Sequence, residues 1–254
     1  MMRGMAGNEE SRRLIDQITR WIAERVSEAG ARGIVVGLSG GVDSAVVAVL
    51  AQRAVGENVL GLLMPCHSQP VDGEYAHLLA DTFGIETITV DLGPAYDTLL
   101  ATLPPGPDLA RANLRPRLRM ATLYFIANTR NYLVAGTGNK SEIMVGYFTK
   151  WGDGGCDLLP LGGLYKTQVW ELARKLGIPE EIVSRVPTAG LWPGQTDEGE
   201  MGITYAQLDA TLSAIERGDT SSCDPTSLQK VQGMIARSAH KRALPPIFTP
   251  AHGV

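Results

Sequence analysis

The sequence predicts an α/β fold in which a parallel β-sheet carries helices on both of its faces. Short strand-like runs at 34–36, 59–64, 86–91 and 132–136 are rich in apolar and β-branched residues, as buried strands are. Segments with helical apolar spacing separate these runs, and strands that alternate with helices form parallel βαβ units. The densest glycine motif follows the first run directly, at the sheet edge where such folds bind ligands.

The first helix follows from apolar periodicity. Leu14, Ile18, Ile22 and Val26 recur at helical spacing and end before Gly30. This spacing predicts a long amphipathic helix that leads into the first strand.

Three further helices are expected around the strands. The run 45–50 is apolar nearly all round, which predicts a helix packed inside the fold. A second helix is expected over 71–83, and a third over about 117–130 with Pro116 in its first turn. The proline-rich segment 103–116 is interpreted as a loop or connection.

The second half of the chain is predicted to be helical around one long loop. Lys166 opens an amphipathic segment, Thr204 and Gln207 have the spacing of a capping box, and Asp224-Pro225 is typical of a helix start. The loop 187–202 contains an acidic cluster, Asp197, Glu198 and Glu200. A long loop without secondary structure is commonly a lid or binding loop, although a merely solvated loop fits the composition equally well.

The composition of the chain limits the classes of function that the protein can have. The 254 residues are 44% apolar and 20% charged, as in ordinary globular proteins, and the net charge of −4 argues against nucleic acid as the main partner. No apolar run resembles a signal peptide or a membrane span, so we expect a cytoplasmic protein without a membrane partner. The widely spaced Cys66, Cys156 and Cys223 favour neither a disulfide scaffold nor a zinc site.

The glycine motif predicts a phosphate site. Its eight residues between a strand and a helix are Gly37, Leu38, Ser39, Gly40, Gly41, Val42, Asp43 and Ser44. Loop amides and a helix N-terminus converge there, which favours an anion, and the Asp43 carboxylate is a candidate ligand for Mg²⁺ beside the phosphates. The lysine of the usual phosphate loop is missing. In the alternative interpretation, the two glycines only form a turn and the loop binds no ligand.

A second dense block, 136–166, follows the fourth strand and should reach the same edge of the sheet. Glu142 is a candidate to share a magnesium ion with Asp43; alternatively it only interacts with the dipole of a helix start. Lys166 is a candidate phosphate contact. Asp153 and Asp157 flank a glycine turn, where substrate positioning, proton transfer and ordinary turn chemistry are all plausible.

With both blocks in place, the chain resembles the NAD synthetase family, in its ammonia-dependent form without an attached glutaminase domain. The resemblance covers nearly the whole chain, so a single domain over 1–254 is expected. It implies a Rossmann-like sheet of the adenine nucleotide alpha-hydrolase-like type. The segments that carry it are 39–44, 117–120, 146–155, 187–191 and 240–242, of which 146–155 is the most restricted.

The resemblance also implies residue roles. The loop Gly37 to Ser44, with Thr137, Lys166 and Thr188, would bind ATP, and Asp43 and Glu142 would hold Mg²⁺. The second substrate, deamido-NAD (nicotinic acid adenine dinucleotide), would be held near the interface of a homodimer by Arg117, Lys150, Asp157, His240 and Lys241. Pro116 departs from the alanine expected before Arg117, and Asn139 and Lys140 receive no role.

The implied reaction is the last step of NAD biosynthesis, the amidation of deamido-NAD by ammonia through an acyl-adenylate. NAD, AMP and pyrophosphate are its products. Lys166 is the expected catalytic cation on the leaving pyrophosphate, and Asp153 or Asp157 is the expected acceptor of the ammonium proton. Two alternatives stay open: another adenylating amidase or thiolase of the same superfamily, and a regulatory nucleotide-binding module without catalysis.

Overall fold

The computed structural model describes residues 2–190, 192 and 194–250, with side chains from residue 9 onward. Its sheet has four parallel strands in the order β3-β2-β1-β4. These are β1 (Gly33–Gly37), β2 (Val59–Leu63), β3 (Glu86–Thr89) and β4 (Tyr132–Ala135). Because β1 has β2 on one side and β4 on the other, the chain reverses its direction of winding there, which creates a crevice at the carboxyl edge.

Helices fill the connections and continue beyond the last strand. They are α1 (Met2–Glu28), α2 (Val42–Val55), α3 (Pro70–Phe83), α4 (Gly93–Thr102), α5 (Asp108–Ala112), α6 (Leu114–Arg130), α7 (Lys140–Val145), α8 (Lys166–Leu176), α9 (Glu180–Val183), α10 (Asp197–Met201), α11 (Tyr205–Arg217) and α12 (Pro225–Arg237), followed by a 3₁₀ turn, Ala239–Lys241. In the part of the chain that the structure describes, none of these helices is long and apolar enough to span a membrane.

The sheet separates two apolar cores, because alternate residues of a strand point to opposite faces. Ile34 and Val36 face the core that contains α1, α2 and α8, whereas Val35 faces the core of α4 and α6. Helix α2 is buried over most of its length, as its apolar composition predicts. The expectation of helices on both faces of a parallel sheet is confirmed.

A third, smaller core joins the C-terminal helices to the segment after β4. Tyr205, Leu208 and Leu212 of α11 pack with Val231 of α12 and Val145 of α7. The capping box at the start of α11 is confirmed. This core brings the turn after α12 back to the edge of the sheet.

Two sequence predictions were wrong in detail. The segment 103–116 is more than a loop, since it contains α5, whereas Pro116 lies in the first turn of α6 as predicted. The end of the loop 187–202 forms α10, which is capped by the Thr196 side chain accepting a hydrogen bond of 3.1 Å from the Gly199 amide. Asp197 in that helix is buried, which contradicts a merely solvated acidic cluster.

Candidate active site

The glycine loop lies at the carboxyl end of β1 and runs into the N-terminus of α2. Gly40 has a φ of +74°, and a Cβ there would lie 2.5 Å from the Asp72 carbonyl oxygen, so the sharp turn requires glycine. The Ser44 hydroxyl donates to the Gly41 carbonyl at 2.9 Å and accepts from the Ser39 amide at 3.3 Å. The first amides of α2 point toward the crevice without helical acceptors, which suits an anion.

Asp43 and Glu142 meet in front of this loop, as the sequence predicts. Asn139 joins them: its side-chain amide donates to Asp43 at 2.9 Å, and its side-chain oxygen accepts from the Glu142 amide at 3.1 Å. Lys166 donates to Asp43, and its Nζ lies 3.5 Å from Glu142 Oε1. Glu142 is also the capping-box residue of α7, which agrees with its interpretation as a helix-start residue, whereas its role as a metal ligand stays a prediction.

The electrostatics of this cluster depend on burial. The Lys166 side chain is 2% exposed, against 18% for Asp43 and 16% for Glu142. Burial alone would lower the pKa of Lys166, but the two carboxylates outweigh it and the pKa is raised. Burial raises the pKa of Glu142 to about 8, with Lys166 opposing the rise and Asp43 adding to it.

Two further side chains fix the start of helix α8, where Lys166 lies. Asp209 of α11 accepts hydrogen bonds from the Thr167 amide, at 3.0 Å, and from the Ser141 hydroxyl. Ser141 in turn accepts from the Lys166 amide at 2.9 Å. These bonds satisfy amides of the first turn of α8 and hold Lys166 toward the two carboxylates.

The donor set fits magnesium only together with a nucleotide. Among the described side chains, no three of the type His, Cys, Asp or Glu come close enough to hold a metal ion by themselves. Mg²⁺ is usually bound by one or two carboxylates, waters and substrate phosphates. Asp43 and Glu142 beside the glycine loop provide the protein part of such a site.

Basic side chains form the opposite wall, where the second substrate is expected. Lys150 donates to the His240 carbonyl at 2.5 Å, and Lys241 donates to the carbonyls of Gly146 and Phe148 at 2.9 and 2.8 Å. Burial lowers the pKa of Lys241, with Asp153 opposing this effect.

The other predicted site residues differ in their solvent exposure and in their hydrogen bonds. Arg117 is exposed on α6 and donates to the Lys150 carbonyl at 3.3 Å. Asp153 accepts from the Thr149 amide at 2.9 Å, and desolvation of its carboxylate raises its pKa, although the residue as a whole keeps solvent exposure. Asp157 is exposed, and it accepts hydrogen bonds from the Tyr124 hydroxyl at 2.9 Å and from the Val134 amide at 2.8 Å.

One cavity of about 790 Å³ joins the two walls. Thr137 and Thr188 line it, together with the glycine loop, Lys166 and the basic side chains. Of the predicted site residues, Gly40 and Asp157 are not part of its lining. The volume lies within the range of small-molecule sites. Leu191, in the predicted segment 187–191, lies outside the described residues, as does Pro193.

Sequence reasoning missed several residues around the cavity. Asn139 received no role, yet the spacing Asn139-x-x-Glu142 is a capping-box signal that was available in the sequence. Arg185 donates to Asp72 and, at 3.3 Å, to the Gly40 carbonyl, so it braces the glycine loop from outside. No local pattern signals that contact, because the residues are 113 and 145 positions apart.

Fold and site together define a class: α/β proteins of the adenine nucleotide alpha-hydrolase-like type, with a glycine loop that lines a cavity at the carboxyl edge of a parallel sheet. The family model described as NAD synthase matches residues 14–245. A curated relative, the NH3-dependent NAD⁺ synthetase of Carboxydothermus hydrogenoformans, is 50% identical over 91% of this chain and 95% of its own. The chain belongs to the NAD synthase family.

Solved structures agree with this assignment. An NMN synthetase from Francisella tularensis superposes with a TM-score of 0.87 at 38% identity, over 94% of this chain and 98% of that one. An NH3-dependent NAD synthetase from Campylobacter jejuni, solved with nitrate, gives 0.83 at 30% identity, over 94% and 99%.

Proposed function

We propose that the chain catalyses the ATP-dependent amidation of deamido-NAD with ammonia, which makes it an AMP-forming ligase. The observation that carries the proposal is the cavity itself: one wall combines a glycine loop with Lys166, Asp43 and Glu142, and the other presents Lys150 and Lys241. The names of the relatives at 45–50% identity, NH3-dependent NAD⁺ synthetase, support the same product and nitrogen donor.

The nicotinate carboxylate needs activation because oxide is not a leaving group. A carboxylate oxygen attacks the α-phosphorus of ATP, the bond to the bridging β-phosphate oxygen breaks, and pyrophosphate leaves. The loop amides and Lys166 stabilise the charge that develops on it. A magnesium ion that binds together with the nucleotide would be held by Asp43 and Glu142, and it would neutralise charge on the phosphates.

Ammonia then attacks the acyl carbon and AMP departs, which leaves the amide of NAD. Ammonium must first lose a proton, and Asp153 is the acceptor we favour, since its pKa is raised and it lines the cavity, whereas Asp157 does not. Water must be kept from the adenylate, and the 187–202 segment, which lines the cavity through Thr188 and Asp197, is the proposed cover.

A homodimer belongs to the same proposal. Arg117 and Phe125 lie on one exposed stripe of α6, and the Phe125 side chain is 70% exposed. Aromatic residues and arginine are enriched at protein–protein interfaces, which supports this stripe as the proposed dimer contact. Sedimentation of the wild type and of Phe125→Asp tests this; a monomeric wild type would contradict it.

The assay that tests the function combines protein, ATP, magnesium, ammonium and deamido-NAD, and follows NAD and AMP. We expect both products in equal amounts, and Asp43→Asn should lose activity while remaining folded. ADP in place of AMP would rule out adenylyl transfer, and ATP binding without turnover of any acid would favour a regulatory module. Replacing ammonium by glutamine should abolish turnover, because the relatives at 45–50% identity are named for NH3 as the nitrogen source.

One observation supports a second candidate substrate, namely the high similarity to an NMN synthetase structure. That enzyme's name points to the mononucleotide, nicotinic acid mononucleotide, as acid substrate. The ratio of kcat/KM on the dinucleotide and the mononucleotide decides between them. We expect the dinucleotide to be preferred, since the relative at 50% identity is a NAD synthetase.

A further inference from the structure

Arg119 belongs to the segment 117–120, which carries part of the family resemblance, yet the reaction above gives it no role. It lies on α6 and lines the cavity. Its Nε donates to the Met64 carbonyl and its Nη2 donates to the Ser68 hydroxyl oxygen, both at 3.1 Å. Met64 directly follows β2, which pairs with β1. The guanidinium therefore lies at the carboxyl edge of the sheet, next to the strand that carries the glycine loop.

The contacts of α6 place Arg119 between the two walls of the cavity. A Cβ built on Gly37 would lie 3.8 Å from Leu123 Cδ1, so α6 passes the start of the glycine loop one turn after Arg119. A Cβ built on Gly155 would lie 3.0 Å from Met120 Cγ, so the residue next to Arg119 contacts the glycine turn of the opposite wall. A nucleotide on one wall and an acid on the other would meet at this position.

Among the described residues, no carboxylate forms an ion pair with Arg119, and both of its acceptors are neutral. The neighbouring Cys66 thiol stays uncharged at neutral pH, because burial raises its pKa. The residue is half-buried, and desolvation lowers the pKa of its guanidinium, while Asp72 and Asp153 oppose this from beyond ion-pair distance. An arginine nevertheless stays charged at physiological pH. A partly desolvated cation with neutral partners favours an anion at its remaining donors.

We propose that Arg119 is a catalytic residue of adenylate formation, in which it binds the attacking carboxylate and the α-phosphate of ATP together. The inference rests on the proposed function. Two anions come into contact in this step, and their repulsion opposes the new bond. A guanidinium has five N–H donors, of which the two described hydrogen bonds use two, so donors remain for an oxygen of each anion. Arg119 keeps all its protons in this role.

The test measures adenylate formation in a single turnover without ammonium, followed as pyrophosphate release. In Arg119→Ala we expect the rate to fall about 100-fold, the effect of removing one donor that stabilises a transition state. Affinity for α,β-methylene-ATP alone, measured by calorimetry, should fall less than the rate, because the attacking carboxylate is then absent. Arg119→Lys keeps the charge without the planar fork and should retain more of the rate than Arg119→Ala.

Rescue by free guanidinium separates this role from a structural one. Arg119 also ties α6 to the segment after β2, and a free ion cannot restore that tie. Millimolar guanidinium chloride should therefore raise the rate of Arg119→Ala, whereas urea, which has a similar shape and no charge, should not. Thermal unfolding checks that the variant is folded.

Arg32→Ala is the matched control. Arg32 donates through the same two nitrogens, Nε and Nη2, to the Arg130 carbonyl at 3.1 and 2.7 Å, and it is not part of the cavity lining. This variant should keep the wild-type rate and should not respond to guanidinium.

The outcomes are distinguishable. A wild-type rate in Arg119→Ala would overturn the catalytic role and leave the proposed function standing. A loss that guanidinium does not restore in the folded variant would also overturn it, and would assign Arg119 to the tie between α6 and the segment after β2. A wild type that releases no pyrophosphate from ATP and deamido-NAD would overturn the proposed function and the inference with it.

Discussion

The two walls of the cavity hold their positive charges differently. On the nucleotide wall, Lys166 is buried and paired with Asp43 and Glu142. On the other wall, Lys150 and Lys241 rest on backbone carbonyls and form no carboxylate ion pair among the described residues. In the proposed reaction, the first cation is paired before any substrate arrives, whereas the other two are available to an anionic substrate. The proposal thus assigns chemistry to one wall and substrate recognition to the other.

Substitution of Lys166 should have the largest effect. Lys166→Met removes the cation for the leaving pyrophosphate and leaves Asp43 and Glu142 uncompensated, so we expect kcat to fall about 100- to 1,000-fold. Single-turnover formation of the adenylate measures it. Lys166→Arg keeps the positive charge and should retain more activity than Lys166→Met. Equal rates in Lys166→Met and the wild type would contradict a catalytic role of Lys166.

Substitution of Gly40 tests the glycine loop without touching a charge. Gly40→Ala forces a side chain into a left-handed turn and against the Asp72 carbonyl, which should cost about 1–3 kcal/mol at this position. We expect weaker ATP binding, measured by calorimetry, with little change in deamido-NAD binding. Gly56→Ala, at a φ of +61° but with open space around it, is the control for backbone strain alone.

Substitution on the second wall should separate the substrates. Lys241→Met should raise the KM for deamido-NAD about tenfold, the cost of one charged contact, and leave the KM for ATP within about twofold. Steady-state kinetics with each substrate varied in turn measures this. A larger effect on ATP than on the dinucleotide would contradict the division between the walls.

Protonation of Glu142 should make the stability of the ligand-free protein depend on pH. Since burial raises the pKa of Glu142 from 4.5 to about 8, the folded state binds the proton more tightly than the unfolded state does. Stability therefore decreases as pH rises between these values, and the loss is complete above pH 8. Glu142→Gln should flatten this part of the curve, as measured by denaturant unfolding; an unchanged slope would contradict the shift.

The sequence was informative where chemistry follows a strand end. Gly37 to Ser44 and Glu142 lie after β1 and β4, and the parallel topology alone brings them together, so their proximity was predictable. Lys166 was recognised as a helix start but not as a buried ion-pair partner, because its burial depends on Asp209 and Tyr205 of α11.

Contacts between distant segments escaped prediction. Helix α10 was expected as loop because its five residues are too few for periodicity to show, and acidic residues in such a stretch are usually solvated. Asp197 is buried only because the third core positions Tyr205 to donate to it. Arg185 and Asp72 form a hydrogen bond although they are 113 residues apart in the sequence, and no local sequence pattern indicates such a contact.

The Lys166 ammonium beside Asp43 means that the empty enzyme supplies its own counter-ion. Folding at this point needs no dissolved metal, so prolonged dialysis against a chelator should leave the melting temperature of the free protein unchanged. In the proposed reaction, an incoming metal–nucleotide complex would displace the Lys166 ammonium from Asp43 and leave it beside the phosphates that it is proposed to stabilise.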